Sequence, residues 1–485
     1  MRTPHRACGI VLSALILGLL GDLLLRPGPS GLGAGAWVLA SAGTAIAFRS
    51  ERASLGALAL SAAFGLLIVW RDSPVLQGLF GGAAIVAWGV AFLDRPARAG
   101  VTALAMAACA AVGSAIMGSA VVFAGARSGE RLTLPRRSVR VALGGAALAA
   151  PLLVLFGTLF AAADPLFARY TAELGDSLDE ALDHLVMIAA LAWVMDGLLA
   201  GLHLARCPAE VELPRPRPAF GSAITVAVAL VVALFAAFLV VQARALIGGA
   251  EWVESRVGLS YSEYARGGFF QLLACAGIAL PLGLIADWAV APEDPRRKRA
   301  RLLSLALTVV VLAVVASAAR RMALYVEAYG LTELRLYASA TTLWLALASV
   351  AFGWAAIRGS RGRFCFHALL AAAAVVGGLG IVNPGARIAA YNASRGPSGT
   401  PFDASYAVSL GADAVPALLE ALPALSPDAR CATAQGLLAY GAGRPDDDWR
   451  TYTVSRARAR SLLDAADGAL REAAAGCDQP PRRDA

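Results

Sequence analysis

In the run ALAWVMDGLLAGLHLAR (190–206), Asp196 stands among apolar residues and His203 follows seven positions later. Seven residues are two helical turns, so the two side chains share one face. A carboxylate held in hydrocarbon costs at least a few kcal/mol, and groups kept there tend to serve a function. With a histidine that titrates near neutrality, such a pair can relay protons or ions. A structural account fits the same residues: the aspartate is held by a hydroxyl or arginine of a neighbouring helix, and His203 sits at the cytoplasmic edge. Gly197 and Gly201 then form a GxxxG patch for close helix approach. Asp22, Arg244 and Asp287 lie near predicted helix ends and reach water there.

A second constellation lies at helix boundaries. Asp164 directly follows an apolar run, Arg266 follows the capping-box pattern Ser260-x-x-Glu263, and Arg321 and Glu327 lie in RRMALYVEAYGLTELRLYASA (320–340). Together they could form an outer polar site for a headgroup or a soluble ligand. Most of the 320–340 stretch also has a local explanation. A helix runs out through Tyr325 and Tyr329, Gly330 stops it in a left-handed conformation, and Thr332 caps the next helix with Glu333 in its first turn. Only Glu327 is left without a structural task.

The motifs of soluble enzymes are absent: GxxxxGK[ST], HExxH, CxxC and GxSxG do not occur. Four histidines scattered through 485 residues, apart from the cysteines, argue against a metal site. The residues imply no cofactor.

The elements that must carry these residues are membrane helices. The chain is 58% hydrophobic and 16% charged, far from the quarter charged that is usual in soluble domains. About 20 apolar residues cross roughly 30 Å of hydrocarbon. Twelve stretches qualify, at 8–25, 30–48, 53–70, 75–93, 99–126, 141–163, 185–205, 220–247, 267–291, 302–319, 335–357 and 364–382. The expectation is an all-α polytopic membrane protein with about 12 spans (11–13) and a small C-terminal helical domain. Its parts are N-terminal helices (1–126), a membrane core (127–382) and a helical tail (383–485).

The net charge of +8 resides in short loops, with no basic stripe of the kind that binds nucleic acid. Loops 127–140, 206–219, 292–301 and 358–363 hold 16 Lys+Arg, whereas 164–184, 244–266 and 320–335 hold 7. The positive-inside rule places the first set in the cytoplasm and the second set, with the tail, outside. Twelve spans would then put the N-terminus outside, against the preference of Arg2 and Arg6. Either one early segment does not span, or the rule is broken there.

The tail reads as three helices, at 404–425, 427–441 and 447–475. Cys431 and Cys477 would meet oxidising conditions outside. In a hairpin beginning at 447, however, Cys431 lies opposite a residue near 458, too far from Cys477 to pair unless the last helix breaks.

Several phrases occur in one order: ADPLF (163–167), YSEYARGGFFQLL (261–273), RMALYVEAYGLTELRLYA (321–338), NPGARIAAYNASR (383–395), FDASYAVSLGADAVPALL (402–419) and WRTYTVSRARAR (449–460). Over about residues 140–460 the chain resembles the bacterial membrane family known as domain of unknown function 4153, with its relative 4173. Thr453 stands where the family pattern has Asn. The resemblance implies a multi-span protein of a bacterial cytoplasmic membrane and supplies no activity.

The reading that needs least intramembrane chemistry is a sensor or scaffold presenting an outer tail. Its partners would be the bilayer and, at the outer face, a protein or a lipid headgroup. Two others fit: a secondary transporter using Asp196 and His203, and a multi-span enzyme acting on a lipid-linked substrate through Asp164.

Overall fold

The computed structural model describes residues 4–26, 31–49, 54–118, 165–204, 207–208, 214, 216–257, 268–291, 293–359, 362–395, 402–443 and 448–475. Helices dominate, and the only strand-like pairing among these residues is an isolated parallel bridge between Leu93 and Cys207. The helices are α1 (Pro4–Leu25), α2 (Leu32–Phe48), α3 (Leu55–Trp70), α4 (Pro74–Ala91), α5 (Val101–Met117), α6 (Pro165–Leu204), α7 (Pro218–Val257), α8 (Phe269–Ala289), α9 (Arg297–Tyr329), α10 (Glu333–Arg358) and α11 (Gly362–Val382). The tail adds α12 (Pro384–Ser394), α13 (Ala404–Ser409), α14 (Val415–Ala421), α15 (Pro427–Ala442) and α16 (Val454–Ala475).

Among the described residues seven helices are long and apolar enough to cross a membrane, α4 and α6–α11, against the twelve stretches counted in the sequence. Four more apolar segments, in α1, α2, α3 and α5, run for fewer than 18 described residues. At 1.5 Å per residue their 16 or 17 residues reach roughly 25 Å, just short of the hydrocarbon thickness. The stretch 141–163 lies outside the described residues. Side chains such as Ile85, Leu230, Ile278 and Ile381 point outward at 66–73% exposure. In water such a surface would aggregate; in a bilayer it meets lipid tails.

The chain divides into two compact units. One comprises residues 1–26, 40–53 and 109–205, where α1 packs along α6. Glycines permit its close approaches. A Cβ on Gly18 would stand 2.5 Å from the Ile188 carbonyl oxygen, and one on Gly197 would stand 1.9 Å from that of Ser114. Gly197 thus does what its GxxxG spacing suggested.

The other unit comprises 27–39, 54–108 and 206–485. It contains the α3–α4 hairpin, whose Phe64, Leu76 and Phe80 pack with Leu379 of α11, and a core of α7–α10 around Leu307, Val311 and Phe352. It also contains the tail, whose helices enclose Ile388, Leu418, Leu437 and Leu463. Two expectations for the tail fail. The pattern read as one helix over 404–425 breaks at Gly411, whose φ of +73° is a left-handed position that ends α13. The last helix begins at Val454 rather than 447, because Asp448 caps a separate 3-10 turn over Trp449–Thr451.

Candidate functional site

Between Trp70, the end of α3, and Pro74, the first residue of α4, lies the sequence Arg71-Asp72-Ser73. Ser73 caps α4 by accepting from the Leu76 N–H, with Pro74 in the first turn. The hairpin turn is therefore short, and its backbone N–H groups need partners from elsewhere. Asp413 of the tail supplies them. One of its carboxylate oxygens accepts from the Asp72 and Ser73 N–H groups, both at 3.0 Å. The other accepts from Ser455 Oγ at 2.5 Å and lies 3.6 Å from Arg71 Nη1.

The Asp413 side chain is 1% exposed, so these contacts are made away from water. Its position follows from the helix break, since Gly411 turns the chain just before α14. Asn383, itself left-handed at φ 54°, donates its Nδ2 to the Asp413 carbonyl and caps α12 with its Oδ1.

A second ion pair lies beside the first. Arg456 Nε stands 2.6 Å from Asp72 Oδ1, and Arg456 Nη1 donates to the Thr451 carbonyl. Burial pushes the Asp72 carboxyl up to about 6, with nearby Asp413 adding to the rise and Arg456 opposing it. Arg71 is anchored independently. Its Nε donates to the Gly380 carbonyl at 2.6 Å, and its guanidinium lies 4.5 Å from the centre of the Trp70 ring. Two carboxylates and two guanidiniums thus balance in charge. Protein groups fill them from both sides, which suits holding the tail and exchanging a proton, not turning over a substrate.

The tail also grips the turn between α9 and α10. Gly330 ends α9 with φ +81°, and Thr332 accepts from the Arg335 N–H to cap α10, as the sequence suggested. The Tyr325 and Tyr329 rings meet edge-on at 5.1 Å, again as expected from their spacing. Asn392 of α12 reads the turn in both directions, accepting from Leu331 N and donating to Leu331 O, each at 2.8 Å. Tyr406 accepts from the Glu333 N–H through its hydroxyl. The arginines are not merely reaching for water. Arg335 stacks 4.2 Å from the Tyr325 ring centre and donates to the Tyr329 and Gly330 carbonyls, while Arg395 donates to those of Val326, Glu327 and Ala328. They satisfy the acceptors that a helix C-terminus leaves open.

Of the sequence-derived outer site, Asp164 and Arg266 lie outside the described residues. Arg321 and Glu327 are six residues apart on α9; Glu327 is exposed, and Arg321 extends beside Gly268. In the other unit Asp196 is buried, and His203 turns its Nδ1 to the Phe48 carbonyl at 3.3 Å. Asp22 sits between Arg26 and His184, at 2.9 and 2.5 Å, a pairing that spacing could not show.

The Asp413 cluster escaped the sequence reading altogether. Its one signal is an aspartate beside Gly411 in an otherwise apolar helical pattern. Among the described residues no group of three His, Cys, Asp or Glu is placed to hold a metal ion.

No curated protein and no solved structure matches the chain. A family model described as Domain of unknown function (DUF4153) matches residues 58–421, which include the α3–α4 turn, the α9–α10 turn and Asp413. The chain belongs to that family.

Proposed function

We propose that the protein is a membrane sensor or scaffold in which the helical tail is a clamped reporter rather than a freely tethered domain. The observation that carries this reading is the buried Asp413 carboxylate, which joins the tail to the α3–α4 turn through two backbone N–H groups, Ser455 and Arg71. A buried ionic cluster adds little net stability over apolar packing, but it ties two elements in one register. Movement of the turns between membrane helices is thereby coupled to the tail, as a signalling element requires.

The same contacts bear on topology. The 71–73 turn, the α9–α10 turn and the α11–α12 junction all touch the tail and so share its side of the membrane. Leu32, at the start of α2, donates its N–H to the Tyr452 carbonyl and belongs there too. If α1 crosses, the N-terminus with Arg2 and Arg6 falls on the opposite side, together with the basic loops. That removes the conflict left by a count of twelve. An extracytoplasmic tail is also supported by Cys431, which is disulfide-bonded.

The test compares strains carrying Asp413→Asn, deletion of residues 402–485, and Asp196→Asn. A clamped reporter predicts that Asp413→Asn reproduces the deletion phenotype at unchanged membrane abundance, while Asp196→Asn does not. If Asp196→Asn alone abolishes function with the protein stably inserted, the reading is wrong and transport is favoured.

A further inference from the structure

The geometry points to a binding site for the headgroup of a zwitterionic phospholipid, in a cavity of the tail at the membrane surface. The cavity measures about 500 Å³ and lies between the end of α15, the 449–451 turn and the first three turns of α16. Its aromatic lining is Tyr440, Trp449 and Tyr452, and Trp449 and Tyr452 are 54% and 44% exposed. Aromatic side chains left this open in a small helical domain are out of place unless they meet an amphipathic environment.

Their depth indicates which environment. The Tyr452 carbonyl accepts from the Leu32 N–H at the start of α2. Ser455 Oγ lies 3.1 Å from the carbonyl of Trp70, the last residue of α3. The cavity wall therefore begins where two apolar helices leave the hydrocarbon, the level at which Trp and Tyr concentrate and at which headgroups lie.

The charges select the headgroup. The lining contains Arg456 and Arg460 against Asp448 and Asp464, which sum to zero. Arg456 is engaged with Asp72, and Asp448 with Arg450. Arg460 and Asp464 are exposed one turn apart on α16 and present one charge of each sign to the cavity. A balanced lining gives an anionic lipid no net attraction. A phosphate next to an ammonium matches it: phosphate towards Arg460, ammonium towards Asp464 and the aromatic faces, where a desolvated cation gains most. The acyl chains then continue into the bilayer beside α2 and α3. This assignment rests on those helices lying in a membrane and not on the proposal that the tail signals.

The experiment uses the full-length protein in nanodiscs of phosphatidylglycerol mixed with phosphatidylethanolamine, with native mass spectrometry counting the lipids retained after gentle detergent release. Wild type should retain one phosphatidylethanolamine in preference to phosphatidylglycerol. Trp449→Ala should weaken that retention about fivefold, the loss of one cation–aromatic contact. Ser461→Trp, which fills the cavity from an exposed position, should abolish it while leaving the thermal midpoint unchanged. Equal retention of both lipids, or retention unaffected by either variant, would overturn the site. Equally tight binding of water-soluble glycerophosphoethanolamine to lipid-stripped protein would overturn the assignment to a membrane lipid. Failure here leaves the Asp413 clamp untouched, since that is read by the Asp413→Asn phenotype.

Discussion

Replacing Asp413 by Ala removes one carboxylate from four partners at once. The Asp72 and Ser73 N–H groups lose their acceptor, Ser455 loses its own, and Arg71 loses its counter-charge. Breaking a buried ion pair by deleting one member costs about 3–5 kcal/mol, because the remaining charge stays buried. Here Arg71 keeps the Gly380 carbonyl at 2.6 Å, so the lower end applies, about 3 kcal/mol. Arg71→Met should cost less, since Asp413 retains its two backbone donors. The two residues contact each other, so the double variant should depart from additivity by about 1 kcal/mol or more. The assay is denaturant unfolding of the purified protein in detergent, followed through tail fluorescence, for wild type, both single variants and the double variant. Losses below about 0.5 kcal/mol for Asp413→Ala, a typical surface value, would refute the clamp. Additivity within error would show that Arg71 is not part of it.

Three other outcomes follow from the same geometry. Asp72 has a folded-state pKa raised from 3.8 to about 6. Between those values the folded protein holds a proton that the unfolded chain has released. Stability should therefore fall as pH rises from about 4 to about 6, by up to roughly 3 kcal/mol, and Asp72→Asn should flatten that dependence in pH-resolved unfolding. Gly330→Ala forces a side chain into φ +81° with its Cβ 2.8 Å from Asn392 Oδ1, so it should cost about 1 kcal/mol or more by thermal unfolding. Glu327→Gln, an exposed change, should stay within about 0.5 kcal/mol. Cys431 should be protected from maleimide labelling until reductant is added; labelling without reductant would contradict the disulfide.

What could be read in advance is what depends on neighbours in sequence. Apolar runs announced the membrane helices, because a bilayer demands continuous helix across its core. Gly330 and Thr332 announced the stop and cap between α9 and α10, because those roles are decided within one turn. The clamp is a different matter. Asp413 meets Arg71, Asp72 and Ser73 across some 340 positions, and no local pattern carries such a pairing. The helical period over 404–425 is sound on each side of Gly411, so a reading by periodicity runs straight through the break that aims Asp413.

The cysteine estimate missed for the same reason. It started the last helix at 447, whereas α16 starts at Val454. That seven-residue shift moves the register of the α15–α16 hairpin by about 10 Å. Thr453 shows the converse. It differs from the family's Asn, yet it caps α16 by accepting from the Arg456 N–H, a role either residue can fill.

The central claim is that the tail docks on the turns of the membrane helices at one outer face. It is tested most directly by alkaline phosphatase fused after residue 72, after residue 395 and after residue 299. The clamp and the charge asymmetry together predict activity at 72 and 395 and none at 299. Activity at 299 alone would invert the orientation, and opposite results at 72 and 395 would contradict the docking itself.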